Sequence, residues 1–204
     1  PIYTLMEHKY REITRGGDLS QVLAGIERAL SLDLTPVKLN VVVQRDFNLD
    51  EVKDFLRFTR SAPVHVRFIE IMPMGCGGKM SDEFVPAAEI KEILGEDYQL
   101  VRAELAGGGP ADYYRVKGYR GTVGFISAIS QHFCSRCNRL RLTADGKLRL
   151  CLQQERSLDI KTPLRSGASE DELVGLFEQA AASKPAGYRS RGWDENSLMN
   201  SIGG

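Results

Sequence analysis

The chain has 204 residues, 42% of them hydrophobic and 26% charged, the balance of a globular protein that buries a core. Lysine plus arginine equals aspartate plus glutamate at 27 each, so there is no global basic field to attract nucleic acid, and any anion site must be local. No run reaches the roughly 18 apolar residues of a membrane helix, no signal-peptide pattern opens the chain, and four cysteines, three of them clustered, make no secreted disulfide framework. The expectation is a reducing compartment, cytoplasm or mitochondrial matrix, with neither nucleic acid nor membrane as partner. The chain opens on Pro1 rather than methionine, which suggests a segment of something longer.

In chain order, Asp18 is placed to cap a helix running to about Leu32, with Val22, Leu23, Ile26 and Leu30 on one face. The run VKLNVVV (37–43) reads as a parallel strand covered on both sides. A second helix is expected from Leu49 to Arg60, burying Leu49, Val52, Phe55 and Leu56. VHVRFIEIM (64–72) is a second buried strand, and a short helix follows at Ala87 to Leu94. Repeated strand–helix–strand units imply a parallel sheet, open or closed into a barrel, with sites at the carboxyl ends of the strands. After Gly95 the pattern changes to short strands and turns, then a cysteine hairpin, then a polar helix near Glu170 to Ala182. The fold class is therefore α/β, with a parallel sheet, open or closed, over 1–95 followed by a smaller α+β region over 96–204.

The hairpin is FCSRCNRLRLTADGKLRLC, residues 133–151. A three-residue loop, Ala144–Asp145–Gly146 with Gly146 left-handed, pairs Thr143 with Lys147. That register puts Leu140, Leu142, Leu148 and Leu150 on one face, and Arg139, Arg141, Arg149 and Cys151 on the other, with Cys151 opposite Arg139. Cys134, Cys137 and Cys151 are then expected to converge beside three guanidiniums. Spacing alone leaves zinc, completed by His132 or Cys76, and an iron–sulfur cluster both open. The arginines favour a 4Fe–4S cluster, because a three-cysteine cluster leaves one iron free for a small molecule whose phosphates guanidiniums can grip.

The run CSRCNRLRLTADGKLRLC resembles the second cluster site of the GTP 3′,8-cyclase family, radical S-adenosylmethionine (SAM) enzymes of the first step of molybdenum cofactor synthesis. The likeness extends along the chain through YREITRGG, VKLNVVVQRDFN, VRFIEIMPMG and the terminal IGG. It implies the C-terminal part of a (β/α) partial barrel of radical SAM type. It also implies a second 4Fe–4S cluster on Cys134, Cys137 and Cys151, with the guanine of GTP at its open iron. Arg139, Leu140 and Arg141 match the GTP-contacting triplet, Lys38 a GTP-contacting lysine, and Met72 a SAM-contacting position. Gly203 and Gly204 match a tail that enters the active site. The implied reaction begins with reductive cleavage of SAM to a 5′-deoxyadenosyl radical, which takes hydrogen from the ribose C3′ of GTP. Attack of C3′ on C8 then gives 3′,8-cyclo-7,8-dihydro-GTP. An electron donor, the downstream cyclic pyranopterin monophosphate synthase and a second copy of the chain are the implied partners.

The departures matter too. The family's C-x3-C-x2-C loop, which holds the SAM-cleaving cluster, has no match here, and proline stands where the family has a SAM-contacting serine in PIYTL. The cut is expected inside a barrel strand, and the chain alone is expected to be inactive. Two other classes compete: a non-enzymatic zinc or iron–sulfur module binding a nucleotide or partner, and another radical SAM enzyme with an auxiliary cluster. Residue by residue, Lys38 also reads as a snorkelling structural lysine, Met72 as core filler, and Arg139 and Arg141 as a solvated strand face. Gly203 and Gly204 also read as a frayed end, GCGGK around Cys76 as a plain loop, and His8 and His65 as structural.

Overall fold

A computed structural model describes residues 2–72, 81–105, 109–152, 156–185 and 187. The chain forms two compact units, the first made of Pro1–Met72 and Asp82–Gln131, the second holding Ser81 and the described residues from His132 onward. Strands after residue 95 join the sheet of the first unit, so the units divide at 131–132, whereas the expected division by role lies at 95.

The first unit is a five-stranded mixed sheet. Strands β1 (Val37–Val43), β2 (Val64–Glu70), β3 (Leu100–Ala103), β4 (Asp112–Val116) and β5 (Thr122–Ile126) lie in the order β1-β2-β5-β4-β3. β1, β2 and β5 are parallel, while β4 and β3 add an antiparallel edge. Ile2 runs beside β1, its N–H donating to the Asn40 carbonyl at 2.9 Å. Helix α1 (Glu7–Ile13) is not foreshadowed by periodicity. It is held by contacts from afar: the Lys9 Nζ donates to the Phe47 carbonyl at 2.6 Å and to buried Glu51 at 3.0 Å. Helix α2 (Leu19–Ser31) starts as expected, with the Asp18 carboxylate accepting from the N–H groups of Ser20 and Gln21. Helix α3 (Val52–Ser61), preceded by a 3-10 turn over Leu49–Glu51, buries Val52, Phe55 and Leu56, and α4 (Ala87–Gly95) buries Ala87, Ile90 and Leu94.

These apolar faces close on one side of the sheet, where Leu39, Val41, Val43, Val66, Phe68, Val123 and Phe125 are buried. β1 departs from the expected two-sided burial. Its alternate residues Lys38, Asn40 and Val42 are only half-buried. β2 also ends two residues earlier than expected, at Glu70, whose buried carboxylate accepts the N–H groups of Ala87 (2.8 Å), Ile129 (2.8 Å) and Ser130 (2.9 Å) and the Ser130 hydroxyl. One side chain thus fixes the strand end, the start of α4 and the exit from β5.

The second unit is a three-stranded antiparallel sheet, β6 (Arg141–Leu142), β7 (Lys147–Arg149) and β8 (Ser157–Asp159), with α5 (Lys161–Arg165) and α6 (Glu170–Ala182). The observed register pairs Arg141 with Arg149 and Leu142 with Leu148, and the Thr143 N–H donates to the Lys147 carbonyl at 2.9 Å. This is the three-residue loop read from the sequence, with Gly146 at φ +84°. The Gly146 carbonyl in turn accepts from the N–H groups of Ile160 (3.1 Å) and Lys161 (3.0 Å), which ties the loop to the start of α5. Leu148, Leu150, Ile160 and Ala180 form the core, with Leu140 partly buried against them. Leu142 is the exception to the expected apolar face. At the distal end of a two-residue strand it lies beyond that small core and stays 59% exposed.

Candidate functional site

Two places carry the residues singled out by the sequence. The first is the half-buried face of the parallel sheet. Because paired residues of parallel strands share a face, Lys38 neighbours His65, Asn40 neighbours Arg67, and Val42 neighbours Ile69. The Arg67 Nε donates to the Asn40 Oδ1 at 2.7 Å, and the His65 Nδ1 meets the Thr122 hydroxyl at 2.8 Å. Burial lowers the His65 pKa first, and the charges of Lys38 and Arg115 lower it further, so this imidazole is held neutral among cations. Among the described residues no hydrogen bond or ion pair is found for the Lys38 ammonium. Arg67 and His65 were not read as site residues. Their shared parity with Lys38, visible once the strands are paired, is the signal that brings them forward.

Met72 does not share Lys38's location. Lys38 pairs at the amino end of β1, whereas Met72 lies two residues past the carboxyl end of β2. At about 3.3 Å per residue, the strand from His65 to Glu70 alone spans roughly 16 Å. Of the two, only Met72 lies at the carboxyl ends of the strands, where sites are expected.

The second place is the cysteine hairpin. Cys134 opens a 3-10 turn in which the Cys137 N–H donates to the Cys134 carbonyl at 3.1 Å. All three cysteines are free and half-buried. Around half-buried Arg141 stand the guanidiniums of Arg139 and Arg149 and the thiols of Cys137 and Cys151. Burial lowers its pKa first, the two cations lower it further, and the two sulfurs oppose them. Arg139 is exposed, and Leu140 turns its side chain into the core. Arg149 is committed to the backbone, its Nε donating to the Cys151 carbonyl at 3.2 Å and a terminal nitrogen to the Leu152 carbonyl at 3.3 Å.

Two expectations need correction here. The strand pairing stops at Arg141–Arg149, so Cys151 and Arg139 are not a bridging pair. Instead the Lys184 ammonium lies between the strands, donating to the Arg139 carbonyl at 2.5 Å and the Leu150 carbonyl at 2.9 Å, with the Cys137 sulfur 3.8 Å away. Nor do three thiols meet at one point: among the described residues no group of three His, Cys, Asp or Glu is close enough to hold a metal ion. A cubane cluster offers a separate iron to each thiolate, so its ligands need not share one centre as a zinc ion's must. In donor chemistry, three free thiols, with Arg141 near those of Cys137 and Cys151 and Lys184 beside that of Cys137, fit such a cluster, since the cations' charges offset those of thiolates. His132 is exposed, while Cys76, Gly203 and Gly204 lie outside the described residues.

Residues 64–190 match the family model described as Molybdenum Cofactor Synthesis C. The chain belongs to that family. Among its relatives, the GTP 3′,8-cyclase of Moorella thermoacetica is 51% identical over 203 residues, covering 98% of this chain and 63% of the relative. The GTP 3′,8-cyclases of Pelotomaculum thermopropionicum and Heliobacterium modesticaldum are 49% and 48% identical, each again with 98% of this chain and 63% of the relative covered. The chain thus spans under two thirds of the length of these curated relatives. Among the described residues, no helix of this family member is long and apolar enough to cross a membrane.

Proposed function

We propose that this chain is the C-terminal part of a GTP 3′,8-cyclase of molybdenum cofactor synthesis. In this reading residues 1–95 are part of a radical SAM-type partial barrel, and residues 96–204 hold the second 4Fe–4S cluster and GTP. One observation carries it: around Arg141 two cysteine thiols and two further guanidiniums are gathered, in a chain 51% identical to a protein named GTP 3′,8-cyclase.

Cys134, Cys137 and Cys151 would hold the cluster. When bound, the cluster supplies an iron without a protein ligand, on which guanine can rest, and SAM supplies the one-electron chemistry at the ribose C3′. What this chain's residues do is bind and orient. Arg139 and Arg141 take phosphate oxygens, and an anion arriving there relieves the repulsion among three guanidiniums. Arg149 holds the carbonyls at Cys151 and Leu152 and thereby sets the third thiolate's backbone. Lys38 offers a further ammonium on the half-buried sheet face. Met72, two residues past the carboxyl end of β2, is assigned as the SAM contact. Gly203 and Gly204 are assigned to a tail that reaches the active site. An electron donor, cyclic pyranopterin monophosphate synthase and a second copy of the chain are assigned as partners. Positioning GTP with C3′ toward SAM is the contribution of such a frame to the rate.

The test is ligand binding to the anaerobically reconstituted chain. Arg141→Glu should weaken GTP by about a hundredfold, since it removes a charge-assisted phosphate contact and adds repulsion, and should leave guanosine within a fewfold. Equal losses for GTP and guanosine would mean that Arg141 does not read phosphate.

A further inference from the structure

Where the hairpin's ladder stops, a cation takes its place. Lys184 lies two residues beyond α6, the helix that packs Ala180 against Leu148 and Leu150. That packing brings its ammonium back between the strands, onto the carbonyls of Arg139 and Leu150, at 2.5 and 2.9 Å. An ammonium has three protons to give, and two are spent on the carbonyls. Along the remaining direction, 3.8 Å away, is the sulfur of Cys137. A neutral donor could also satisfy the two carbonyls, with weaker bonds. A cation on a hairpin that already carries Arg139, Arg141 and Arg149 adds like-charge repulsion, unless a negative group arrives beside it.

We propose that Lys184 is a positioning residue of the cluster site. It fixes the separation of the two segments, at Arg139 and Leu150, that lead to Cys137 and Cys151, and it donates a hydrogen bond to the Cys137 thiolate when that sulfur ligates iron. The inference rests on the reading of Cys134, Cys137 and Cys151 as cluster ligands. The third proton shortens toward a thiolate more than toward a thiol, because charge-assisted hydrogen bonds are the stronger ones. A positive donor on a ligand sulfur also favours the reduced cluster, which carries the extra electron. Lys184 therefore holds the cluster and raises its reduction potential.

The experiment compares the wild-type chain with Lys184→Met, Lys184→Gln and Lys184→Arg after anaerobic reconstitution with iron and sulfide. Iron per chain, iron loss to a chelator and the midpoint potential are measured. Lys184→Met is expected to lose iron about tenfold faster, in line with other partners that orient metal ligands. Its potential should fall by the equivalent of about a tenfold change in the oxidised-to-reduced ratio, about 59 mV for one electron. Lys184→Arg should restore most of both. Circular dichroism of the cluster-free variants reports folding separately. If Lys184→Met does not fold, Lys184→Gln decides, since it keeps a donor for the carbonyls without the charge: a lowered potential supports the proposal and an unchanged one overturns it. Failure of both to fold overturns it as well, because Lys184 would then serve the fold alone. A wild-type chain that takes up no iron defeats the cluster reading and the inference with it. A wild-type chain that binds iron, with variants indistinguishable from it, defeats the inference only.

Discussion

The two units satisfy their polar groups in opposite ways. In the sheet unit, buried carboxylates are fully engaged by donors from the chain itself: Glu70 by three N–H groups and a hydroxyl, Glu51 by the Leu5 N–H, the Thr4 hydroxyl and Lys9. In the hairpin unit, the guanidiniums of Arg139 and Arg149 and the sulfurs of Cys137 and Cys151 collect around Arg141. The first pattern fixes strand ends and helix starts with the chain's own groups. The second gathers like charges on one hairpin, the arrangement on which the proposed phosphate site rests. The cores differ in the same sense, since Phe55, Phe68 and Phe125 centre one, while four modest side chains centre the other.

The contrast can be broken most severely at Glu70. Glu70→Ala leaves three N–H groups without their acceptor at a place that joins β2, α4 and the exit from β5. It should cost about 3–5 kcal/mol, read by chemical denaturation. A loss below about 1 kcal/mol would mean that the sheet unit is not held by its buried carboxylates. Next comes Leu148→Ala. At 2% exposure its loss should cost about 2–4 kcal/mol in the cluster-free chain. Hydrogen exchange should show that loss in residues 140–180, with the amides of β1 and β2 little changed. An equal loss of protection in both would show that the two units unfold as one. The smallest effect sharpens the picture of the sheet's half-buried face. His65 has its pKa lowered on folding, so the unfolded chain binds the extra proton first, and stability falls as pH drops below the ordinary histidine value of about 6.5. Melting temperature should drift downward from pH 7 to pH 5, and His65→Gln should flatten that part of the drift. A drift of the same slope in the variant would assign it to other groups.

How much of this was legible in the sequence follows the same divide between local and distant causes. The hairpin register was legible because alternation of leucine and arginine, and one glycine in the loop, admit a single pairing that buries Leu148 and Leu150. α2 and the two parallel strands were legible from a cap and from apolar runs. The half-burial of Lys38, Asn40 and Val42 was not, since an apolar run does not state how many faces a strand has covered. α1, β8 and α5 were missed because they are short, and α1 is held by partners some forty residues away (Lys9 on Phe47, Asp50 and Glu51). Lys184 carries no signal at all in the chain, being one of 27 lysines and arginines until α6 returns it to the hairpin. The three cysteines were legible as a cluster of thiols in the sequence. Their spread, and the cation between the strands, needed coordinates.

The clasp at Gly146, whose carbonyl takes two N–H groups from the start of α5, has a consequence for how such a site changes over generations. An added residue in the 144–146 loop would exchange Arg141 and Leu142 between faces and pull the carbonyl from its two donors. Length variation there is therefore costly, whereas an exposed side chain such as Arg139 can be replaced with the frame left standing. Under the proposed function, preference for one anion over another can drift by single substitutions, on an arm whose geometry does not drift with it.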